Sequence, residues 1–148
     1  MKKSVFVIIS VCLICLLCAC SSKTVDVSAL EKEIISTVSF DTELREVPDN
    51  TVATLFNTLD GVTIKMYKGS SVCPDQFCIF TLSDTADRNK VAEQVGDYVK
   101  KLISDYKSYA PDEVPKLENA LTALAKNCYL LVVTSDTENA KNIVDKYF

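Results

Sequence analysis

Two cysteines, Cys73 and Cys78, enclose the one short segment of this sequence whose residue types suggest redox chemistry. Four residues separate them, whereas thiol–disulfide oxidoreductases use a C-x-x-C pair at the start of a helix, where the helix dipole lowers the thiol pKa. Cys78 also falls in a predicted strand. An envelope thiol–disulfide oxidoreductase that uses Cys73 and Cys78 is therefore an alternative hypothesis rather than the main one.

Three other states are open to these cysteines. A structural disulfide between Cys73 and Cys78 is compatible with secretion, and so are pairs that join either of them to Cys128. Three thiols together with Asp75 could hold zinc, but nothing in the sequence brings Cys128 to the loop 73–78. Burial as small apolar side chains is the favoured interpretation, and we predict no metal site and no cofactor.

A pair of neighbouring acids, Asp112 and Glu113, lies between Pro111 and Pro115 on a predicted turn. Paired carboxylates can hydrolyse sugar linkages, but this needs a second acid across a cleft and one pKa raised by burial. Acidic residues on a turn are usually solvated. A cell-wall hydrolase is therefore the weakest hypothesis. An exposed Tyr109 could contribute to a binding surface.

The sequence contains no histidine. This excludes the Ser-His-Asp and Cys-His arrangements, imidazole general bases and histidine metal ligands. The three glycines, Gly61, Gly69 and Gly96, are too far apart for a phosphate-binding glycine loop. We therefore predict no catalytic residues and a protein that is not an enzyme.

The chemistry that the sequence predicts most firmly is lipidation of Cys20. Lys2 and Lys3 precede an apolar run over residues 5–19 that only a serine interrupts, which is the layout of a secretory signal peptide. The segment 17–20 reads Leu-Cys-Ala-Cys and resembles the lipobox of bacterial lipoproteins. That resemblance implies cleavage between Ala19 and Cys20 and attachment of diacylglycerol to the Cys20 thiol, which a palmitate analogue would label.

An uncleaved membrane anchor is the alternative, but the apolar run is shorter than the roughly 20 residues that a spanning helix needs. Removal of residues 1–19 leaves 14 basic against 20 acidic residues, a net charge of −6. An acidic chain lacks the basic patches that bind nucleic acid. We expect a protein held by its lipid on the extracytoplasmic face of the cell membrane.

The rest of the sequence predicts one domain. Residues 20–27 form a polar, lipidated tether and residues 28–148 a single α+β domain. A first helix begins at Ser28, with Glu31 completing a capping box, and a second, short helix begins at Asp49 or Asn50.

Two units of strand, strand and helix follow. The strands cover residues 62–67, 77–82, 119–126 and 129–134, and each strand pair leads through Ser-Asp-Thr into a helix. Pro111 and Pro115 predict an extended connection between the units. This order predicts a four-stranded, mostly antiparallel sheet with the N-terminal helices packed on it. Residues 116–126 are the ambiguous segment, because their Leu and Ala content also favours a helix.

Several short motifs, in this order and spacing, resemble a family of small clostridial lipoproteins known as domain of unknown function 4358. The matching segments are the lipobox ending at Cys20 and residues 38–44, 67–70, 111–118 and 127–133. The family has no assigned activity, so the resemblance implies extracytoplasmic attachment and an α+β domain but no catalytic residue. At residues 73–78 this chain departs from the family, which tends to have small and acidic residues there.

Taken together, these features predict a lipid-anchored binding or scaffolding domain without catalysis, whose partner is an unknown envelope protein or ligand.

Overall fold

The computed structural model describes residues 23–148. The predicted signal peptide, Ala19 and Cys20 lie outside the described residues. The described chain is an α+β fold with five helices and five strands. The helices are α1 Val27–Thr37, α2 Asp49–Leu55, α3 Arg88–Tyr109, α4 Val114–Glu118 and α5 Thr137–Tyr147; the strands are β1 Arg45–Glu46, β2 Val62–Lys68, β3 Gln76–Leu82, β4 Leu121–Leu124 and β5 Cys128–Val133.

The five strands form one antiparallel sheet in the order β1-β2-β3-β5-β4. The two predicted strand pairs are β2–β3 and β4–β5, and they join where β3 lies beside β5. The prediction of four strands was wrong by one. The two-residue edge strand β1 pairs Arg45 with Lys68, and such a short segment carries no alternating pattern that a sequence could reveal.

Both faces of the sheet are covered by helices, which gives two separate cores. The alternating side chains of β3 divide between them, because successive residues of a strand point to opposite faces. Cys78 and Phe80 face α2, α3 and α4, whereas Phe77 and Ile79 face α1 and α5. The strands β3 and β5 are accordingly apolar on both sides.

The start of α1 differs from the predicted one, whereas α2 begins at Asp49 as predicted. The cap of α1 is Asp26, whose carboxylate accepts a hydrogen bond from the Ala29 amide at 3.0 Å, and the predicted cap Ser28 lies inside the helix. Glu31 does not complete a capping box, because its carboxylate accepts hydrogen bonds from Tyr67 and Lys65 of β2 instead.

The connection between the two units is helical, so the predicted extended segment was wrong. Pro111–Glu113 forms a 3-10 turn and continues into α4. Proline is compatible with the first turn of a helix, where its missing N–H has no intrahelical acceptor. This turn places the side chains of Val114 and Leu117 in the core. The ambiguous segment 116–126 is therefore helix up to Glu118 and strand from Leu121.

The tether predicted for residues 20–27 is partly built into the fold. Val25 is buried, and its backbone N–H donates to Asn127 Oδ1 at 2.8 Å, while Asn127 Nδ2 donates to the Val25 carbonyl at 2.9 Å. The chain is thus fixed to the β4–β5 turn from Val25 onward. Within residues 23–148, no helix combines the length and apolar character needed to cross a membrane.

Candidate functional site

The ammonium group of Lys116 is the centre of a cluster that contains three carboxylates. Its Nζ lies 2.7 Å from Asp41 Oδ2, 2.9 Å from Glu113 Oε2 and 3.1 Å from Asp75 Oδ1. The Cys73 sulfur is 3.4 Å away. Only 10% of the Lys116 side chain is exposed, so these contacts are largely shielded from water.

Asp75 is the most deeply buried member of this Lys116 cluster, with no exposed surface. One of its carboxylate oxygens faces Lys116, and the other accepts hydrogen bonds from the backbone N–H groups of Asp41 and Thr42. A buried carboxylate needs such partners, since an uncompensated buried charge costs several kcal/mol. Asp75 therefore fixes the segment before β1 against the loop before β3.

Four segments meet at this point because of the sheet topology. The antiparallel register places the start of β3 beside the end of β5, so Asp75 and Ser135 lie at the same end of the sheet. The Ser135 hydroxyl donates to Asp41 Oδ1 at 2.9 Å. The helical turn of α4 brings Glu113 and Lys116 onto one face, at the i,i+3 spacing.

The charges of the cluster stabilise one another. Burial disfavours the Lys116 ammonium, but hydrogen bonds to Asp41, Glu113 and Asp75 outweigh this and raise its pKa. The hydrogen bonds from Lys116 and then Ser135 lower the pKa of Asp41. Lys116 is thus a permanent cation held by three carboxylates, and it is a poor proton donor or acceptor at neutral pH.

Asp41, Cys73 and Asp75 each place a potential ligand atom within 4.8 Å of the others, which is the spacing of a metal site. The Lys116 Nζ contacts all three of these residues and occupies the position of the shared cation. A metal ion would have to displace an ammonium that three carboxylates hold. The arrangement is therefore an ion-pair cluster rather than a metal centre.

The three cysteines of the described chain are free thiols, so the disulfide considered for Cys73 and Cys78 is not formed in the structure. Cys78 faces the α3 core and Cys128 faces the α1–α5 core, so the sheet separates them. Burial raises the pKa of each of these two thiols to about 12, and burial also raises that of Cys73. A protonated, buried thiol is a poor nucleophile.

The two acids of the predicted turn have different roles. Glu113 belongs to the Lys116 cluster, whereas the neighbouring Asp112 is exposed. Tyr109 is 56% exposed and its ring lies 4.7 Å from that of the buried Tyr106, centroid to centroid. Sequence reasoning missed Lys116, because it is one of many scattered lysines and only the fold shows that it is shielded.

A small cavity of about 260 Å³ borders the cluster, and its wall includes Lys116, Asn119 and Ser135. Fold and site together define a class: a small α+β domain, with helices on both faces of an antiparallel sheet, whose central polar cluster surrounds one lysine with three carboxylates.

The chain belongs to the family described as Domain of unknown function (DUF4358), whose model matches residues 56–146. The resemblance to this family is thereby confirmed, and its clostridial lipoprotein character stays a prediction. The matched region contains Cys73, Asp75, Glu113 and Lys116 but not Asp41. Neither the curated proteins nor the solved structures contain a match to this chain.

Proposed function

We propose that this protein is a lipoprotein, anchored through Cys20 to the extracytoplasmic face of the cell membrane, whose domain binds a ligand or an envelope partner without catalysing a reaction. Two acyl chains on one cysteine would hold it there firmly, since each buried methylene contributes about 0.8 kcal/mol. The lipid is then its only attached group.

The observation that supports the absence of catalysis is the Lys116 cluster. Its one ammonium is already held by three carboxylates, and burial raises the pKa of the Cys78 and Cys128 thiols. These features also weigh against a thiol–disulfide oxidoreductase and against a hydrolase that uses Glu113. Turnover of peptidoglycan that disappears in Glu113→Gln would overturn this part of the proposal.

The position of Val25 supports the anchored arrangement. Five peptide units separate Cys20 from Val25, so a fully extended chain between them spans at most about 18 Å, and Val25 is bonded to Asn127 of the β4–β5 turn. The Lys116 cluster lies at the other end of the sheet, since β3 runs about 20 Å from Gln76 to Leu82. In this proposal the turn is close to the bilayer and the cluster faces away from it.

Metabolic labelling with a palmitate analogue tests the anchor. We expect the wild-type protein to incorporate the label and Cys20→Ala to lose it, with the Cys20→Ala product also losing its membrane association. Cys18→Ala is the matched control, because it removes a nearby thiol and leaves Leu17, Ala19 and Cys20 in place. Mass spectrometry of an unlabelled chain that still begins with Met1 would overturn the proposal.

A further inference from the structure

A groove of about 440 Å³ lies between α2, α3 and the end of β2, on the sheet face that also carries Cys78. Its wall combines apolar and polar side chains. The apolar part is formed by Leu55 and Leu102, and the strand contributes Lys68. This volume is within the range of small-molecule sites in proteins, about 300–1,000 Å³.

Lys68 is a partly buried cation that has no ion-pair partner within residues 23–148. Its side chain forms no ion pair or hydrogen bond with any residue of the described range 23–148. Asp97 and Asp105 also line the groove, but they pair with Lys100 at 3.1 Å and Lys101 at 2.7 Å. An ammonium that loses water and gains no counter-charge lowers the stability of the fold.

A second donor lies beside Lys68. Gln76 is its direct partner across the β2–β3 register and has no exposed surface. Gln76 Oε1 accepts a hydrogen bond from Tyr98, whose side chain lines the groove, at 2.7 Å, while Gln76 Nε2 has no acceptor in the described chain. Gln76 has no exposed surface and does not line the groove, so Lys68 is the donor that an acceptor in the groove can reach.

We propose that the groove binds a small organic carboxylate with an apolar tail, which places its carboxylate on Lys68 and its tail against Leu55 and Leu102. The inference rests on the proposed binding function and gives it a ligand class. The groove wall carries the carboxylates of Asp97 and Asp105 as well as the ammonium groups of Lys68 and Lys101, so it suits a singly charged ligand better than a phosphate. Burial lowers the pKa of Lys68, and a bound carboxylate would compensate for that burial.

Hexanoate is the probe that tests the site, with hexanamide as its neutral analogue. The experiment titrates each compound into the isotope-labelled, acylated protein in lipid nanodiscs and follows backbone amide signals by NMR. We expect hexanoate to cause saturable chemical-shift changes in the backbone amides around Thr54, Lys68 and Tyr98. The affinity for hexanamide should be lower by about tenfold or more, because hexanamide lacks the charge-assisted contact with Lys68.

Lys68→Met separates a binding role from a structural one. We expect it to weaken hexanoate binding about tenfold or more and to raise the melting temperature of the ligand-free protein, because it removes an unpaired, desolvated charge. Lys107→Met, on the exposed last turn of α3, is the matched control and should leave hexanoate binding unchanged.

Equal affinity for hexanoate and hexanamide, shifts confined to another surface, or full hexanoate binding by Lys68→Met would each overturn the inference. A lower melting temperature of Lys68→Met would do so too, since it would show that the ammonium stabilises the fold. None of these results concerns Cys20, whose acylation is measured separately.

Discussion

Lys116 connects segments that are far apart in the chain. Asp41 precedes β1, Asp75 precedes β3, and Glu113 precedes α4, yet all three carboxylates lie within 3.1 Å of one ammonium. The ion pairs do more to fix these segments in one arrangement than to add net stability, because desolvation offsets much of the attraction. The larger energetic effect is the cost of leaving the buried Asp75 carboxylate without its counter-charge.

Lys116→Met should therefore destabilise the protein by about 3–5 kcal/mol, the usual cost of removing one partner from a buried ion pair. Urea unfolding of the wild type and the variant measures this difference. Lys101→Met is the matched control, because Lys101 also pairs with a carboxylate but is 74% exposed, and exposed pairs contribute about 0–1 kcal/mol. Equal losses in the two variants would show that the cluster is not effectively buried.

The buried thiols predict how stability changes in alkaline solution. Burial raises the pKa of Cys78 to about 12, whereas a thiol in the unfolded chain has a pKa of about 8.5. Between these values the unfolded state has released a proton that the folded state keeps, so the free energy of unfolding falls as the pH rises. Cys128 adds to the same trend.

Urea unfolding between pH 8 and the onset of alkaline denaturation tests this. We expect the free energy of unfolding to fall less steeply with pH in Cys78→Ala than in the wild type. Loss of the sulfur should also lower stability at neutral pH. A slope identical to that of the wild type would mean that the Cys78 thiol ionises equally in both states.

At the scale of elements, sequence patterns predicted the regular parts and missed the irregular ones. The paired strands β2–β3 and β4–β5 and the helices after them follow from hydrophobic periodicity. The edge strand β1 and the helical turn after Pro111 depend on tertiary contacts, because neither has enough residues to be stable alone. For the same reason, the Lys116 cluster could not be predicted from motifs.

The start of α3 gives a test at this scale. The Asp87 carboxylate accepts hydrogen bonds from the backbone N–H groups of Asn89 and Lys90 at 3.1 and 3.2 Å, so Asp87 and not the earlier Ser-Asp-Thr segment caps the helix. Asp87→Ala should cost about 1 kcal/mol of stability. Asp84→Ala is the control with little expected effect, and a larger loss from it would contradict the assigned cap.

On the scale of the whole molecule, the two ends of the sheet have different surroundings in the proposed arrangement. Asn127 holds Val25 by two hydrogen bonds at one end, and Val25 follows the proposed lipidation site, Cys20, by five residues. The Lys116 cluster and its bordering cavity lie at the other end. A partner that approaches from the aqueous side would therefore meet the cluster end first.

A spin label on the lipid headgroups measures this orientation. In the acylated protein in nanodiscs, we expect the label to broaden the NMR signals of Lys126 and Asn127 more than those of Ser70 and Ser135, because broadening falls steeply with distance. Asn127→Ala removes both hydrogen bonds to Val25, each worth about 0.5–1.5 kcal/mol, and so frees more chain between the lipid and the domain. The difference between the two ends should then shrink. Equal broadening at both ends of the wild-type sheet would mean that the short connection from Cys20 does not orient the domain.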